Sequence, residues 1–200
     1  MDKYVKLIKE DIKDSISYFG NRFKKKRELW VLKEFLKYLP INIDESLIKG
    51  SGAEPNDVFY NGIGFQVKEI QTKGRKRHSE YKNRFNLITE KTDLEDLLEP
   101  YHHIHVPISD TLPRIQAELE RHRNKKYGGI VKNINVLVYL NLSDTTYTTE
   151  SRDALPISGE LNNWLSVSVV TNNCATILSC RDNNNELLKT LVGPIYFPGR

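Results

Sequence analysis

The sequence predicts an α/β (α+β) fold in which helices flank a central sheet, within a single domain over residues 1–200. We expect a helical segment at about residues 1–40 and a core over the remainder. Three observations predict this fold: two amphipathic helical patterns open the chain, two strand patterns meet at Asn61-Gly62, and a long apolar strand follows a further helical pattern. With 38% hydrophobic and 28% charged residues, the chain can bury a sizeable core.

The first 40 residues have the pattern of two helices. At residues 3–19 apolar side chains recur at spacings of three and four, and Gly20-Asn21 ends the pattern. A second helix is predicted at residues 22–38, because the same spacing returns there and Pro40 stops it. Both helices precede the predicted sheet.

Strand patterns dominate the rest of the chain. Asn61-Gly62 is the strongest short signal for a tight hairpin, and it joins predicted strands at 57–60 and 65–70. Residues 134–142 are apolar on both faces, which predicts a strand in the sheet centre. The other predicted elements are a strand at 41–48, a helix at 80–86, a short helix or turn at 93–99, a minor strand at 104–106, a helix that begins at Ser109 or Asp110 and ends at Gly128-Gly129, a surface loop at 145–158, a short helical piece at 161–164, strands at 166–170 and 175–179, and a closing segment at 187–197.

Composition restricts the classes of function. The net charge of +4 and the pI near 8.9 are too mild to identify a nucleic-acid partner. No run approaches the roughly 18 to 20 apolar residues of a membrane span, and no signal-peptide pattern opens the chain, so we expect a cytoplasmic protein without membrane contact. Cys174 and Cys180 are expected to be packing residues. His102, His103 and His105 lack a fourth ligand at a zinc-type spacing, which favours a polar strand or loop.

Residues 54–69 combine the groups that a metal-dependent phosphodiesterase needs. Asp57 starts one predicted strand, while Gln66 and Lys68 lie two apart on the next, so they share a face and Val67 points into the core. Carboxylate and amide oxygens can bind Mg²⁺, and an ammonium group stabilises charge on phosphate. The alternatives are a turn residue for Asp57 and an edge-strand lysine for Lys68.

Basic residues form three clusters, at 22–27, 73–84 and 121–126. Any one of them can be a solvated helix face, but the second begins five residues after Lys68 and is expected near the site, where it would offset phosphate charge. Tyr81 and Phe85 in this cluster could stack on bases or anchor a helix to the core. The residues predicted to bind nucleic acid are Lys73, Arg75, Lys76, Arg77, Lys82 and Arg84.

The order helix, three strands, helix, strand, together with Asp57 and Gln66-Val67-Lys68, resembles the PD-(D/E)xK nuclease superfamily. The resemblance implies a restriction-endonuclease-like core with a mixed central sheet flanked by helices. It implies that Asp57, Gln66 and Lys68 are catalytic. It also implies Mg²⁺ (or Mn²⁺) held by Asp57, Gln66 and the backbone carbonyl of Val67, with Lys68 supporting the attacking water.

A closer resemblance covers most of the chain. It is carried by Glu54-Pro55-Asn56-Asp57-Val58, by Phe65-x-Val67 and the basic segment after it, by the apolar strand ending in Asn141-Leu142, and by Leu191-Val192-Gly193-Pro194. These pieces resemble the bacterial endonucleases catalogued as domain of unknown function 1780. The resemblance implies an endonuclease acting on nucleic acid, with DNA as the expected substrate, and leaves a homodimer open.

Gln66 departs from the superfamily pattern, which has an acid at this position. A neutral amide is a weaker Mg²⁺ ligand than a carboxylate. An acid from the second helix could compensate, with Glu28 preferred over Glu34, and Glu54 and Glu69 are further candidates. The predicted function is a metal-dependent endonuclease. The alternatives are a catalytically degenerate member that binds nucleic acid or protein without cutting, and a purely structural interaction protein.

Overall fold

A computed structural model of the chain describes residues 3–90, 104–148, 161, 163–181 and 186–198. It has the mixed α/β fold that the sequence predicts. The helices are α1 Lys3–Tyr18, α2 Lys24–Tyr38, α3 Arg77–Glu90, α4 Leu112–His122 and α5 Glu186–Lys189. The strands are β1 Ile48–Gly50, β2 Val58–Tyr60, β3 Ile63–Gln71, β4 Ile104–Pro107, β5 Asn135–Asn141, β6 Thr145–Thr148, β7 Ser166–Val170, β8 Ala175–Cys180 and β9 Ile195–Tyr196.

The chain divides into two compact units. The first consists of Met1–Arg27 and Thr72–His102, and the second of Glu28–Gln71 and His103–Arg200. The single nuclease-like domain that the sequence predicts is not tested by this division and stays a prediction.

The second unit contains a seven-stranded sheet in the order β1-β2-β3-β5-β7-β8-β9. Strands β1, β2 and β3 form an antiparallel meander, β3, β5 and β7 are parallel, and β8 and β9 are antiparallel. The sheet is therefore mixed, as expected. Strand β5 lies at its centre, and the buried side chains of Val136, Leu137 and Val138 cover both faces.

Each face of this sheet is covered by a helix of the second unit. Ile115 and Leu119 of α4 pack with Ile70, Val136 and Val138 on one face. On the other face, the part of α2 within the second unit contributes Leu32, Phe35 and Leu36, which pack with Phe65 and Leu137. The apolar stripes of the two helices thus form one layer of core on each face of the sheet.

The first unit has a smaller core between α1 and α3. Val5 and Ile12 of α1 and Ile88 of α3 are buried together, and Ile8, Ile16, Tyr81 and Phe85 pack against them while remaining partly exposed. The predicted helix at 80–86 is longer in the structure because Glu80 accepts a hydrogen bond from the backbone N–H of Lys76 at 3.0 Å. This contact supports a start at Arg77.

Two predicted elements are wrong in part. Residues 41–48 are not one strand, because Asp44 accepts the backbone N–H of Ser46 at 2.9 Å and caps a short 3-10 turn at Glu45–Leu47. Residues 145–148 are not loop but strand β6, which pairs in parallel with β4; their β-branched and aromatic side chains favour a strand. The predicted helix at 93–99 and the loop at 149–158 lie outside the described residues.

The end predicted at Gly128-Gly129 for the helix that contains α4 is confirmed. Helix α4 continues as one wider turn at Arg123–Tyr127, and the chain leaves it at Gly128, whose φ of 51° suits glycine. Throughout the part of the chain that the structure describes, every helix is too short or too polar to cross a membrane.

Candidate active site

Asp57 is fixed between two strands by its side chain and its backbone. One carboxylate oxygen, Oδ2, accepts the backbone N–H of Val67 at 2.9 Å and the side-chain Nε2 of Gln66 at 3.0 Å. The backbone N–H of Asp57 donates to the carbonyl of Phe65, and its carbonyl accepts from Ser51, both at 2.8 Å. Hydrogen bonds to an ionised carboxylate are among the stronger ones in proteins, so the carboxylate has a defined position.

Gly64 allows the chain to pass close to the site. A Cβ at this position would lie 2.6 Å from Cγ of Asn56, the residue before Asp57. On the other side, Asn135 donates to the carbonyl of Gly64 at 3.0 Å and accepts from buried Ser166 at 2.8 Å. These contacts tie the start of β3 to β2, β5 and β7, which holds the strand that carries Gln66 and Lys68.

Gln66 and Lys68 share the sheet face that α4 covers, because alternate residues of a strand point the same way. Gln66 is only 4% exposed, and its Oε1 atom has no hydrogen-bond partner among the described residues. Lys68 is half-buried. Val67 belongs to the apolar layer on the opposite face, as predicted. A buried amide oxygen without a hydrogen-bond partner destabilises the fold. A ligand that donates a hydrogen bond to this oxygen or binds it as a metal ion would therefore gain binding free energy.

His122, at the end of α4, is a candidate site residue that sequence reasoning missed. Arg114 donates to the carbonyl of Gln71, which anchors the start of α4 to the end of β3. Helix α4 packs on the sheet face that carries Lys68, and the Lys68 charge acts on the His122 imidazole, so His122 lies near Lys68. Its Nε2 is buried without a hydrogen bond to any described residue.

The electrostatics agree with that placement. The pKa of His122 is lowered to about 4, chiefly by burial and also by the positive charges of Lys68, Lys126 and Arg121, against an opposing effect of Glu54. The imidazole is therefore neutral at physiological pH and can accept a proton or a hydrogen bond. A single histidine between basic residues at the end of a helix has no distinctive spacing, which is why its role could not be found in the sequence.

Glu54 is held beside His122 rather than in the metal-binding set. Its carboxylate accepts the hydroxyl of Tyr127 at 2.9 Å and pairs with Lys126 at 2.7 Å. The Tyr127 ring contacts His122 edge to face, with centroids 5.1 Å apart. Burial raises the pKa of Tyr127, and Glu54 raises the pKa of Lys126. Since Glu54 and Lys126 are largely exposed, their ion pair adds little stability and chiefly fixes the Tyr127 hydroxyl.

Glu28, Glu34 and Glu69 lie elsewhere. Glu28 is buried, and it lies one helical repeat before Leu32 on the stripe of α2 that faces Phe65 and Val67. Glu34 pairs with Lys37 at 3.7 Å. Glu69 is exposed and accepts from Gln71 and Asn141. Gln66 and Lys68 point to the opposite sheet face from Glu28, so a catalytic role for Glu28 stays a prediction.

The oxygen donors at Asp57 fit a weak divalent-metal site. Among the described residues no three His, Cys, Asp or Glu side chains cluster as metal ligands. One carboxylate, the unpartnered amide oxygen of Gln66 and the carbonyl of Val67 are hard donors of the type that Mg²⁺ accepts when water completes its shell. Gln66 donates its N–H to Asp57, however, so its oxygen is turned away from the carboxylate.

The predicted nucleic-acid-binding residues belong to the first unit, whereas Asp57, Gln66 and Lys68 belong to the second. Their expected nearness to the site stays a prediction. Lys73, Lys76 and Lys82 are exposed, whereas Arg75 pairs with Glu80 at 3.0 Å. His105 of the zinc hypothesis lies in β4, and His102 and His103 lie outside the described residues. Cys174 is buried and Cys180 half-buried, as packing residues should be.

Comparison with known families decides the relationship of this chain. A family model described as "Putative endonuclease, protein of unknown function (DUF1780)" matches residues 2–199. The chain belongs to this family. The closer of the two resemblances seen in the sequence is thereby confirmed, and with it a nuclease-like assignment at the level of the family. Membership of the PD-(D/E)xK superfamily stays a prediction.

Solved structures support the fold. A protein of unknown function from Pseudomonas aeruginosa strain PAO1, described as belonging to the monooxygenase superfamily, is similar with a TM-score of 0.60 and 17% identity. The match covers 100% of this chain and 98% of that one. At this identity the likeness concerns the fold alone. No curated protein matches the chain.

Proposed function

We propose that this protein is a metal-dependent endonuclease that hydrolyses phosphodiester bonds of DNA at the sheet face shared by Asp57, Gln66 and Lys68. The observation that carries the proposal is the fixed Asp57 carboxylate, bound by Gln66 and Val67 across two strands, with Lys68 on the same face. The chain belongs to a family described as "Putative endonuclease, protein of unknown function (DUF1780)", which supports the reaction class.

The chain's own residues have distinct roles in this proposal. Lys68 would bind a non-bridging phosphate oxygen and offset the charge that develops on it. His122, with a neutral imidazole and an unbonded Nε2, would accept a proton from the attacking water or hold that water by a hydrogen bond. The Tyr127 ring and the Glu54 carboxylate behind it would keep the imidazole in place.

Asp57, Gln66 and the carbonyl of Val67 would hold Mg²⁺ or Mn²⁺. The ion would supply Lewis-acid polarisation of the phosphate and a water of lowered pKa. With a single carboxylate among its three protein donors, this site would be weak and would depend on the substrate phosphate for part of its affinity.

The test is cleavage of supercoiled plasmid and short labelled duplexes with Mg²⁺ or Mn²⁺. Asp57→Asn and Lys68→Met should each lower the rate by 100-fold or more, the usual scale for removal of a group that stabilises charge in the transition state. Glu69→Gln and Lys37→Met are matched controls, because both residues are exposed and neither lies on the α4 face: Glu69 alternates with Lys68 on β3, and Lys37 belongs to α2. Cleavage that persists in both site variants would refute the site.

A second candidate function is supported by Gln66 itself. Its amide N–H donates to Oδ2 of Asp57 and so competes with a metal ion for that oxygen, which favours a degenerate member that binds nucleic acid without cutting it. The two functions differ in one measurement. If the wild type binds DNA but shows no cleavage and no metal-dependent stabilisation, whereas Gln66→Glu gains metal binding, the non-cutting function is the correct one.

A further inference from the structure

The first unit has an aromatic recess that the proposed reaction does not use. It has a volume of about 510 Å³ and is lined by Tyr18 at the end of α1, by Phe19 and Phe23 in the connection to α2, by Tyr81 of α3, and by Asp14, Ser15 and Ser17. All four rings are partly exposed. The volume lies within the range of about 300 to 1,000 Å³ typical of ligand pockets.

The rings present faces and edges in a continuous row. Phe19 and Tyr81 are stacked, with centroids 5.4 Å apart and planes 6° from parallel. Tyr18 meets Phe19 edge to face at 5.3 Å and lies 6.3 Å from Phe23. The buried core of this unit is formed by Val5, Ile12 and Ile88. Tyr18 and Phe23 are not among those core residues and are partly exposed, so their rings remain available to a planar ligand, whereas Phe19 already stacks on Tyr81 and contacts Arg77.

Cations border the recess on two sides. The guanidinium of Arg77 lies 4.1 Å from the centroid of Phe19, and Lys26 and Arg22 lie 5.8 and 6.0 Å from that of Phe23. Arg22 and Lys26 are exposed. Asp14, on the α1 side, would repel phosphate and so directs a polyanion toward Arg22 and Lys26.

The surrounding residues concentrate positive charge. Residues 3–27 and 72–90 of the first unit contain fifteen Lys and Arg against five Asp and Glu, in a chain whose net charge is only +4. Residues 91–99, which lie outside the described part, contain four acids and one lysine. The basic clusters at 22–27 and 73–84, separate in sequence, therefore border one recess.

We propose that this recess binds single-stranded nucleic acid, with bases stacked on Phe23 and its neighbouring rings and with phosphates on Arg22 and Lys26. Stacking requires base faces that a duplex hides, and alternating rings and cations are the recognised composition of such surfaces. DNA and RNA share this chemistry. The proposal rests on the proposed nuclease function only in naming the bound strand as its substrate.

The experiment measures fluorescence anisotropy of labelled 20-mers of dT and rU in EDTA, beside a 20-mer of the abasic sugar-phosphate backbone and a 20-bp duplex. Phe23→Leu should weaken binding of dT by roughly 5- to 100-fold, the range for loss of one base-aromatic stack, and leave the abasic strand within about 2-fold. Equal losses on dT and rU would mean that the two kinds of strand are recognised alike, whereas a loss on one alone would identify the kind of nucleotide that Phe23 recognises.

Charge is tested by Arg22→Gln combined with Lys26→Gln. This variant should weaken both the dT and the abasic strand and lower the salt slope by about 1.4, since single strands release about 0.7 ion per phosphate. Lys3→Gln combined with Lys6→Gln is the control of equal charge, because these exposed residues lie about 18 to 22 Å from Tyr18 along α1. Circular dichroism confirms that each variant is folded.

The proposal is overturned if Phe23→Leu binds dT as the wild type does, if it loses the abasic strand equally, or if the duplex binds as tightly as dT. Failure of the nuclease proposal has a different signature. Asp57→Asn should bind dT normally in EDTA. If the wild type cuts no DNA but loses dT binding on Phe23→Leu, only the nuclease proposal is refuted. If the wild type cuts DNA but binds dT equally well with and without Phe23, only the recess proposal is refuted.

Discussion

Replacing Gln66 by Glu tests both the geometry at Asp57 and the metal proposal. The change removes the hydrogen bond from Nε2 to Oδ2, now 3.0 Å, and places a second carboxyl group against Asp57 at a position that is 4% exposed. Two carboxylates at this distance cannot both be ionised without a cation between them, so the pair should retain one proton in the folded protein.

The expected cost follows from that proton. A glutamic acid in the unfolded chain has a pKa near 4.3, and each unit by which the folded pair exceeds it costs about 1.4 kcal/mol. The introduced carboxyl group has a raised pKa in the folded protein, so above about pH 4.3 the folded state retains a proton that the unfolded state has lost. Stability therefore falls as the pH rises from about 4.3 toward the raised pKa. We expect a loss of about 3 to 4 kcal/mol at pH 7 that nearly vanishes at pH 4.5.

The assay is urea unfolding followed by tryptophan fluorescence at pH 4.5 and 7, with and without 10 mM MgCl₂. Gln71→Glu is a matched control, because Gln71 also donates to a carboxylate, that of Glu69 at 2.9 Å, but Gln71 is only partly buried and Glu69 is exposed. Its loss should stay below about 1 kcal/mol at either pH. Mg²⁺ at 100 times its dissociation constant should return about 2.7 kcal/mol to the Gln66→Glu variant.

Two results would refute this reasoning. Equal stability of Gln66→Glu and wild type at pH 7 without metal would mean that Gln66 does not contact Asp57. A variant destabilised as expected but indifferent to Mg²⁺ and Mn²⁺ would mean that the oxygens at Asp57 and Val67 do not form a metal site.

Three further outcomes are expected in unfolding experiments. Gly64→Ala should lower the free energy of unfolding by about 1 to 3 kcal/mol, because the new Cβ would lie 2.6 Å from Asn56. Gly62→Ala is the comparison that tests backbone strain alone, because open space surrounds its Cβ while its φ is 79°. Equal m-values for the variants and the wild type would exclude a changed unfolded state. Since the pKa of His122 is lowered to about 4 from 6.5, wild type should lose roughly 2 kcal/mol between pH 6.5 and 4 that His122→Gln does not lose; parallel pH profiles would contradict a buried neutral imidazole. Ser166→Ala should cost about 1 to 2 kcal/mol through the lost 2.8 Å hydrogen bond to Asn135, and a neutral result would mean that water replaces the hydroxyl.

Much of the fold could be predicted because its signals are local. Asn61-Gly62 specifies a tight turn through backbone conformation alone, with φ of 46° and 79°, and the apolar run at 134–142 specifies a central strand through burial. Strand β6 could not be predicted, since its polar threonines resemble a loop until β4 supplies the pairing. Tertiary partners decide such segments.

The candidate site could be predicted from the sequence to a similar extent as the fold. Asp57, Gln66 and Lys68 could be placed together because hairpin register and strand alternation are short-range rules. His122 required the path of α4 across the sheet, which depends on contacts such as that between Arg114 and Gln71. Likewise, the boundary between the two units falls between Gln71 at the end of β3 and Thr72, just before the basic segment. No pattern in the composition marks this boundary.

The backbone N–H of Val67 makes the position of Asp57 independent of the side chain at residue 66. Because every amino acid other than proline keeps the N–H at residue 67 that donates to Asp57 Oδ2 at 2.9 Å, the carboxylate keeps one anchor whatever stands beside it. Residue 66 can therefore change the charge of the site without moving its acid. A protein that cleaves DNA and one that binds it without cleavage would differ here by a single side chain on the same fold.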